Sequence, residues 1–230
     1  MAKVRFLGQS SFLISLAGTS VLIDPYFSRE GSADLKRIIP APISENELRD
    51  VSLILITHEH FDHFDKSAIE KIASKSNSTV MAHEELLNQL KISNTQKRTI
   101  KMNETYLLRN IKIDVMPAHH PQSFYPVGYI LSHEGKSIYH MGDTELMEEF
   151  TDPKLNSITL MLLPIGGTYT MDITDAVKTV KSMKPDYAIP MHYNTFDAIK
   201  ADPNEFKERI EKSIIKTKAI VLKPGQDFEF

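Results

Sequence analysis

Within the run Thr57-His58-Glu59-His60-Phe61-Asp62-His63, four side chains that bind hard or borderline metal ions fall inside six residues. The run follows Val51-Ser52-Leu53-Ile54-Leu55-Ile56, a short, apolar, β-branched stretch that predicts a buried strand. Residues two apart on a strand share a face, so His58 and His60 are expected to leave its C-terminal end together and share one cation. Asp62 and His63 come after the turn that must follow, placed for a second cation beside the first. Imidazole and carboxylate donors in this mixture suit zinc, iron or manganese. A single histidine at a strand end is ordinarily structural, but four donors at this spacing are not explained that way.

The remaining donors of such a centre should also sit just past strand ends, and three segments qualify. Pro117-Ala118-His119-His120 follows the alternating pattern Ile111-Lys112-Ile113-Asp114-Val115, Gly142-Asp143-Thr144 follows Ser137-Ile138-Tyr139-His140, and Met191-His192-Tyr193-Asn194 follows Tyr187-Ala188-Ile189-Pro190. Each alone reads as a solvated loop histidine or an ordinary turn; their recurrence in one chain is what carries weight. The other histidines have plainer explanations. His83 opens a helical pattern, His133 sits near a hairpin turn, and His140 supports the turn at Asp143.

The elements that must position these residues are legible as strand patterns at 4–7, 11–16, 20–23, 51–56, 79–82, 105–108, 111–117, 127–132, 137–140, 158–163, 187–191 and 219–222. Helical patterns fall between some of them. Asp65 caps one whose apolar stripe is Ala68, Ile69, Ile72 and Ala73, and Ile173, Ala176, Val177 and Val180 repeat the spacing in a second. Asp202-Pro203-Asn204-Glu205 opens a third with a capping acid and proline at the first helical position, and Phe206, Ile210 and Ile214 form its expected buried face. Hairpins first, then strands alternating with helices, predict an α/β (α+β) sandwich of mixed sheets covered by helices. The segment from Phe27 to Glu45, with Gly31, Pro40 and Pro42, is the least patterned and reads equally as a surface connection or a flap over a site.

Composition narrows the function classes. With 27 basic and 30 acidic residues the net charge is −3, so no excess of positive charge exists to hold a polyphosphate backbone and a nucleic-acid partner is not favoured. Cysteine is absent, which excludes disulfides, leaves only nitrogen and oxygen donors for a metal, and fits a cytoplasmic location. Lys3 and Arg5 before an apolar stretch faintly resemble a signal peptide, but Gly8-Gln9-Ser10-Ser11 interrupts it and Ala17-Gly18-Thr19 sits where a hairpin would turn. No stretch approaches the roughly 20 apolar residues of a membrane span.

The succession His-x-His-x-Asp-His, Pro-Ala-x-His, Gly-Asp-Thr and Pro-Met-His-Tyr resembles the metallo-β-lactamase superfamily. Within it, the chain is similar to small prokaryotic metal-dependent hydrolases related to the ascorbate-phosphate lactonase and to N-acyl-phosphatidylethanolamine phospholipase D. The likeness extends through Gly8-Gln9-Ser10-Ser11-Phe12-Leu13-Ile14, Leu22-Ile23-Asp24-Pro25, the stretch from Pro164 to Asp172 and the end Lys223-Pro224-Gly225. It implies a four-layer αββα sandwich, one metallo-hydrolase domain over residues 1–230, and two divalent ions, zinc foremost with manganese or iron as substitutes. His58, His60 and His120 would hold the first ion, Asp62, His63 and His192 the second, and Asp143 would bridge both. His120 is preferred to His119 because the family pattern places the ligand second after Ala118. Asp24 corresponds to an acid that orients a ligand histidine through its other ring nitrogen. Gln9 departs from relatives that carry histidine there, which leaves metal binding intact and substrate positioning open.

The expected chemistry is hydrolysis. A water shared by two divalent ions would have its pKa lowered from about 15.7 toward about 7, giving a hydroxide nucleophile for an ester, lactone or phosphodiester-type bond in a small substrate. Asp62 and Asp143 are the candidate catalytic carboxylates, and Tyr193 with the backbone amides near Gly166 and Gly167 are candidates to hold the rest of the substrate. The competing expectations are a nuclease or phosphodiesterase of the same superfamily and an iron-dependent oxidoreductase on the same scaffold, the diiron form of which expects glutamate where this chain has His60. Substrate and oligomeric state are not written in the sequence.

Overall fold

The computed structural model describes residues 2–28, 35–152, 155 and 157–230. Two seven-stranded sheets face each other. In chain order the strands are β1 (Lys3–Gly8), β2 (Ser11–Leu16), β3 (Thr19–Ile23), β4 (Leu53–Leu55), β5 (Thr79–Ala82), β6 (Lys97–Thr99), β7 (Thr105–Leu108), β8 (Ile111–Pro117), β9 (Val127–His133), β10 (Lys136–His140), β11 (Leu160–Pro164), β12 (Tyr187–Met191), β13 (Lys218–Ala219) and β14 (Asp227–Glu229). The first sheet runs β14-β1-β2-β3-β4-β5-β6 and the second β13-β12-β11-β10-β9-β8-β7. Each sheet is an antiparallel meander that continues as a parallel ladder, through β3-β4-β5-β6 in one and β10-β11-β12-β13 in the other.

Three apolar layers follow from strand alternation. Phe12, Ile14, Val21, Ile23, Leu53 and Leu55 meet Ile113, Val115, Leu131, Ile138, Leu160 and Leu162 between the sheets. The opposite faces, carrying Leu22, Ile54 and Val80 on one side and Met161, Leu163 and Ala188 on the other, are covered by helices. Helices α1 (Lys66–Ser76) and α2 (Glu84–Gln89) cover the first sheet, α3 (Ile173–Met183) and α4 (Pro203–Glu211) the second. The result is the expected αββα order.

Capping decides where the helices begin. Asp65 accepts a hydrogen bond from the Ala68 amide at 3.1 Å, and its other oxygen takes the amides of Phe27 and Ser28 and the Ser28 hydroxyl at 3.0, 2.8 and 2.7 Å. One carboxylate thereby starts α1 and ties it to the chain leaving β3. Asp172 and Asp202 cap α3 and α4 in the same manner. α4 is shorter than its apolar spacing suggests: it ends at Glu211, and Ile214, expected on its buried face, is fully exposed.

The strand directions decide where chemistry can assemble. β1, β3 and β4 point the same way in one sheet, and β8, β10 and β12 in the other. Every candidate ligand follows the C-terminal end of one of these strands, the edge where open α/β sheets ordinarily bind ligands. The sheets are tied together there. The Val127 amide donates to the Thr57 carbonyl at 3.1 Å, the Tyr129 hydroxyl to the Ile56 carbonyl at 2.7 Å, and the His192 amide to the Gln9 carbonyl at 2.9 Å.

Candidate metal centre

β4 ends at Leu55, three residues before His58. Strand alternation, which the sequence leads one to expect, therefore does not pair the two histidines of His-x-His; a loop brings them together, with ring centroids 4.6 Å apart. His58 Nε2 and His60 Nδ1 lie 3.1 Å apart, and His120 Nε2 is 3.1 Å from the same His60 nitrogen. Asp143 Oδ2 is 3.8 Å from His58 Nε2 and 3.9 Å from His120 Nε2. These four residues form one group able to hold a cation, and Asp62, His63 and His192 form a second beside it. Asp143 reaches into the second group as well: its Oδ1 is 3.3 Å from His63 Nε2 and its Oδ2 3.0 Å from His192 Nε2. Asp62 Oδ2 is 3.7 Å from both of those ring nitrogens.

All seven positions singled out in the sequence thus converge, and His120, buried, is the one of its pair that does so. His119 is exposed and faces Glu145 at 3.5 Å. His140 donates through Nε2 to the Ser10 carbonyl at 2.8 Å and accepts the Gly142 amide at 3.2 Å, which braces the turn carrying Asp143. Glycine is required at 142: its φ is +65°, and a Cβ there would lie 2.6 Å from the Val127 carbonyl oxygen. At Gly166 a Cβ would lie 2.3 Å from the His192 carbonyl oxygen, so this glycine serves close packing behind a ligand.

Orientation is fixed from behind. Asp24, fully buried, accepts the Thr57 amide at 2.8 Å and the Thr57 hydroxyl at 2.6 Å, and holds His63 Nδ1 at 2.8 Å. That contact leaves His63 Nε2 directed into the group. Thr57 Oγ1 is also 3.0 Å from His58 Nδ1, and the Tyr169 carbonyl is 3.1 Å from His120 Nδ1. Gln9, Asp24 and His192 all adopt left-handed backbone, with φ of 55°, 46° and 54°, a local strain present at the site.

The donor set fits divalent cations. His63 Nε2 and Asp143 Oδ1 are buried and face each other without a hydrogen bond, which is costly unless a further partner completes them. Burial, with His63 beside it, holds His58 well below the ordinary histidine range, and burial lowers His120 too. Burial also works against charge on His63, yet Asp143, Asp62 and Asp24 raise it well above its usual value; Asp143 raises His192 against the same burial. Asp143 is driven far below the carboxylate range by His192 and His63, despite a burial that opposes this. The carboxylates thus favour positive charge on His63 and His192, the balancing role a bound cation would take over.

Comparison with known proteins settles the family. A β-lactamase superfamily domain model matches residues 3–192. Proteins named UPF0173 metal-dependent hydrolase share 38% identity in Thermococcus onnurineus and 36% in Hyperthermus butylicus, each alignment covering 100% of both chains. Igni18, a metallo hydrolase from Ignicoccus hospitalis, superposes with a TM-score of 0.85 at 31% identity, covering 100% of this chain and 99% of its own. The chain belongs to the UPF0173 metal-dependent hydrolases of the metallo-β-lactamase superfamily.

In this hydrolase the ligand cluster opens into a cavity of roughly 340 Å³, lined by Leu35, Phe61, Gln122, Tyr169, Phe196 and Ile199 along with the site's own histidines and aspartates. Phe61 lies inside the His-x-His-x-Asp-His run, the other wall residues belong to no donor pattern, and the wall itself was not legible in the sequence. One expectation is corrected here. Tyr193, a candidate substrate holder, packs instead against the α3 and α4 core, where burial pushes its hydroxyl up to about 12. Gln9, whose bearing on substrate the sequence leaves open, does not line the cavity; it is buried, and its Nε2 donates to Asp62 Oδ2 at 2.7 Å. Of the segment from Phe27 to Glu45, residues 29–34 lie outside the described part of the chain, while Leu35 reaches the cavity and Arg37 is buried behind it.

No helix among the described residues is long and apolar enough to cross a membrane.

Proposed function

We propose that this metal-dependent hydrolase uses two divalent cations, zinc foremost, to cleave an ester, lactone or phosphodiester-type bond in a small substrate. His58, His60 and His120 would hold one ion, Asp62, His63 and His192 the other, with Asp143 between them. The observation that carries the reading is the position of Asp143, a buried carboxylate whose oxygens lie 3.0 to 3.9 Å from ring nitrogens of both groups. When bound, such a pair of cations acidifies a water to a nucleophile near neutral pH and polarises the scissile oxygen.

The protein's own contribution is orientation. Asp24 and Thr57 fix the ring nitrogens that His63 and His58 present. Gln9 donates to one oxygen of Asp62, which fixes that carboxylate's rotation and the direction in which it can orient a nucleophile or accept its proton. Elemental analysis of purified protein, followed by lactone, ester and phosphodiester assays with and without chelator, tests the proposal. We expect two equivalents of transition metal per chain and chelator-sensitive hydrolysis. Asp143→Asn should weaken retention of metal by both groups, by more than the roughly 10–100-fold typical of losing a residue that only supports a ligand. A protein that takes up no transition metal and hydrolyses nothing in a chelator-sensitive way defeats the reading.

A further inference from the structure

The cavity wall differs in character from the ligand cluster beneath it. Phe61 stands between His60 and Asp62 in the chain, so an apolar ring is built into the ligand motif itself. It meets Phe196 at 5.8 Å and Tyr26 at 6.0 Å between ring centroids, and Tyr26 and Phe196 lie 6.3 Å apart. Ile199 and Leu35 complete this cluster. It is braced from behind by Arg37, whose guanidinium lies 4.2 Å over the Tyr26 ring while donating to the Tyr26 carbonyl at 2.7 Å. The wall is therefore a packed feature of the fold.

Charge follows the same division. Every charged or titratable carboxylate and imidazole lining the cavity belongs to the candidate ligand set, Tyr169 and Gln122 supply the only other polar side chains, and no lysine or arginine lines it among the described residues. A site that takes phosphate monoesters or diesters ordinarily adds cationic side chains to its metals, because the non-bridging oxygens keep their charge through the reaction. A neutral carbonyl needs no such partner. Its volume of roughly 340 Å³ lies near the lower end of the range of about 300–1,000 Å³ for small-molecule sites.

Resting on the proposed hydrolytic centre, we infer that the substrate is an uncharged carbonyl compound, an ester or lactone, whose apolar alkyl or aryl portion lies against Phe61, Phe196, Ile199 and Leu35. The scissile bond then sits over Asp143 while the apolar portion displaces water from the wall.

The test uses the metal-loaded protein and two ligand series. In the first, p-nitrophenyl esters from acetate to octanoate are compared with the anion methyl p-nitrophenyl phosphate. We expect kcat/KM to rise about fourfold per added methylene until the wall is covered, the ratio corresponding to roughly 0.8 kcal/mol per buried CH₂. The esters should also outrun the anionic diester. The second series, n-alkyl hydroxamates from acetyl to octanoyl, measures binding alone by calorimetry, and its affinity should follow the same slope. Phe196→Leu should retain most of the slope and Leu35→Lys should flatten it in both series.

Chelator-sensitive ester hydrolysis with no chain-length dependence, or a preference for the anionic diester, overturns the inference and leaves the hydrolase reading standing. Chain-dependent hydroxamate binding without hydrolysis of any ester defeats the hydrolase reading and supports the apolar site. Neither slope nor hydrolysis ends both.

Discussion

Replacing Asp24 by asparagine keeps the side chain's shape and suits its left-handed φ of 46°, a conformation asparagine tolerates. What changes is the donor pattern. One oxygen of Asp24 takes the Thr57 amide at 2.8 Å; the other takes the Thr57 hydroxyl at 2.6 Å and faces His63 Nδ1 at 2.8 Å. If the asparagine oxygen stays on the Thr57 amide, its NH₂ faces His63 Nδ1 and selects the tautomer that carries hydrogen on Nε2, the nitrogen directed at the metal group. If the amide flips, NH₂ meets the Thr57 N–H and a buried donor is left unpaired, at a cost of about 1–3 kcal/mol. The first outcome costs the second group affinity directly, and the flipped one keeps an acceptor on His63 Nδ1 but loosens the Thr57 turn that holds Asp24 in place. The first group feels it only through Thr57 Oγ1, 3.0 Å from His58 Nδ1. We expect Asp24→Asn to weaken metal binding by His63 and its partners about 10–100-fold, or roughly 1.4–2.7 kcal/mol, and binding by the His58 group by less. Thr57→Val, which removes only the relay, should reverse that ranking. Titration of each variant against a chromophoric chelator resolves the two equivalents. Affinities within threefold of the parent, or loss of the same equivalent first in both variants, would refute this account of how the rings are aimed.

Other perturbations test the remaining parts of the structure. Alanine at His120 should reduce metal content far more than alanine at His119, because only the first ring nitrogen lies 3.1 Å from His60 Nδ1; equal losses by elemental analysis, or the reverse, would displace His120 from the site. Asp65→Ala removes a helix cap and orphans three further donors from Phe27 and Ser28, so we expect roughly 2–3 kcal/mol of destabilisation and a Tm lower by about 5–10 °C in calorimetry. Hydrogen bonds from Arg5 and a pair with Lys3 bring the Asp227 carboxyl down to about 2, from about 3.9 in an unfolded chain. A depressed carboxylate pKa stabilises the fold fully above about pH 4, and that contribution is lost as pH falls toward about 2. Asp227→Asn should therefore flatten the acid limb of urea stability between those pH values and lower neutral stability by under about 1 kcal/mol, less in high salt, since the pair is on the surface.

Strands were legible where one face alternates or a run is wholly apolar: the patterns at Ser11–Leu16, Thr79–Ala82, Ile111–Pro117 and Tyr187–Met191 coincide with the observed strands. Lys97–Thr99 and Asp227–Glu229 were not, because edge strands with exposed, charged side chains carry no apolar period; pairing with β5 and with β1 makes them strands. α4 stops before Ile214 for a related reason: a spacing of apolar residues extends past the point where a neighbouring element is available to cover them. The candidate ligand residues stood out in the sequence because metal chemistry restricts donor types, whereas the cavity wall did not, since Phe61, Phe196 and Ile199 have the composition of any core. Gln9 illustrates the limit. Its turn was visible in Gly8-Gln9-Ser10-Ser11, but its hydrogen bond to Asp62 spans 53 positions and depends on how the two loops meet.

The centre also bears on why this fold tolerates so much buried charge. Asp24, Asp143, His58, His63 and His192 are all at or near zero exposure, at the edge where the two sheets are tied together. Several surrounding atoms, Asp143 Oδ1 and His63 Nε2 among them, are left without hydrogen bonds. Such a cluster opposes folding unless its charges are balanced, since a buried carboxylate stripped of partners is among the costliest groups a protein can hold. Positive charge on His63 and His192, which the neighbouring carboxylates favour, works toward that balance at the expense of desolvating the imidazoles. Bound cations would achieve it with donors that are already aimed, which would make occupancy and stability one linked equilibrium. The ligand loops and the strand ends that carry them should then stiffen together on metal uptake, with slower amide exchange in the segments around His58–His63, Gly142–Thr144 and Met191–His192. Helices α1 and α4, packed on the outer faces of the sheets, should change least.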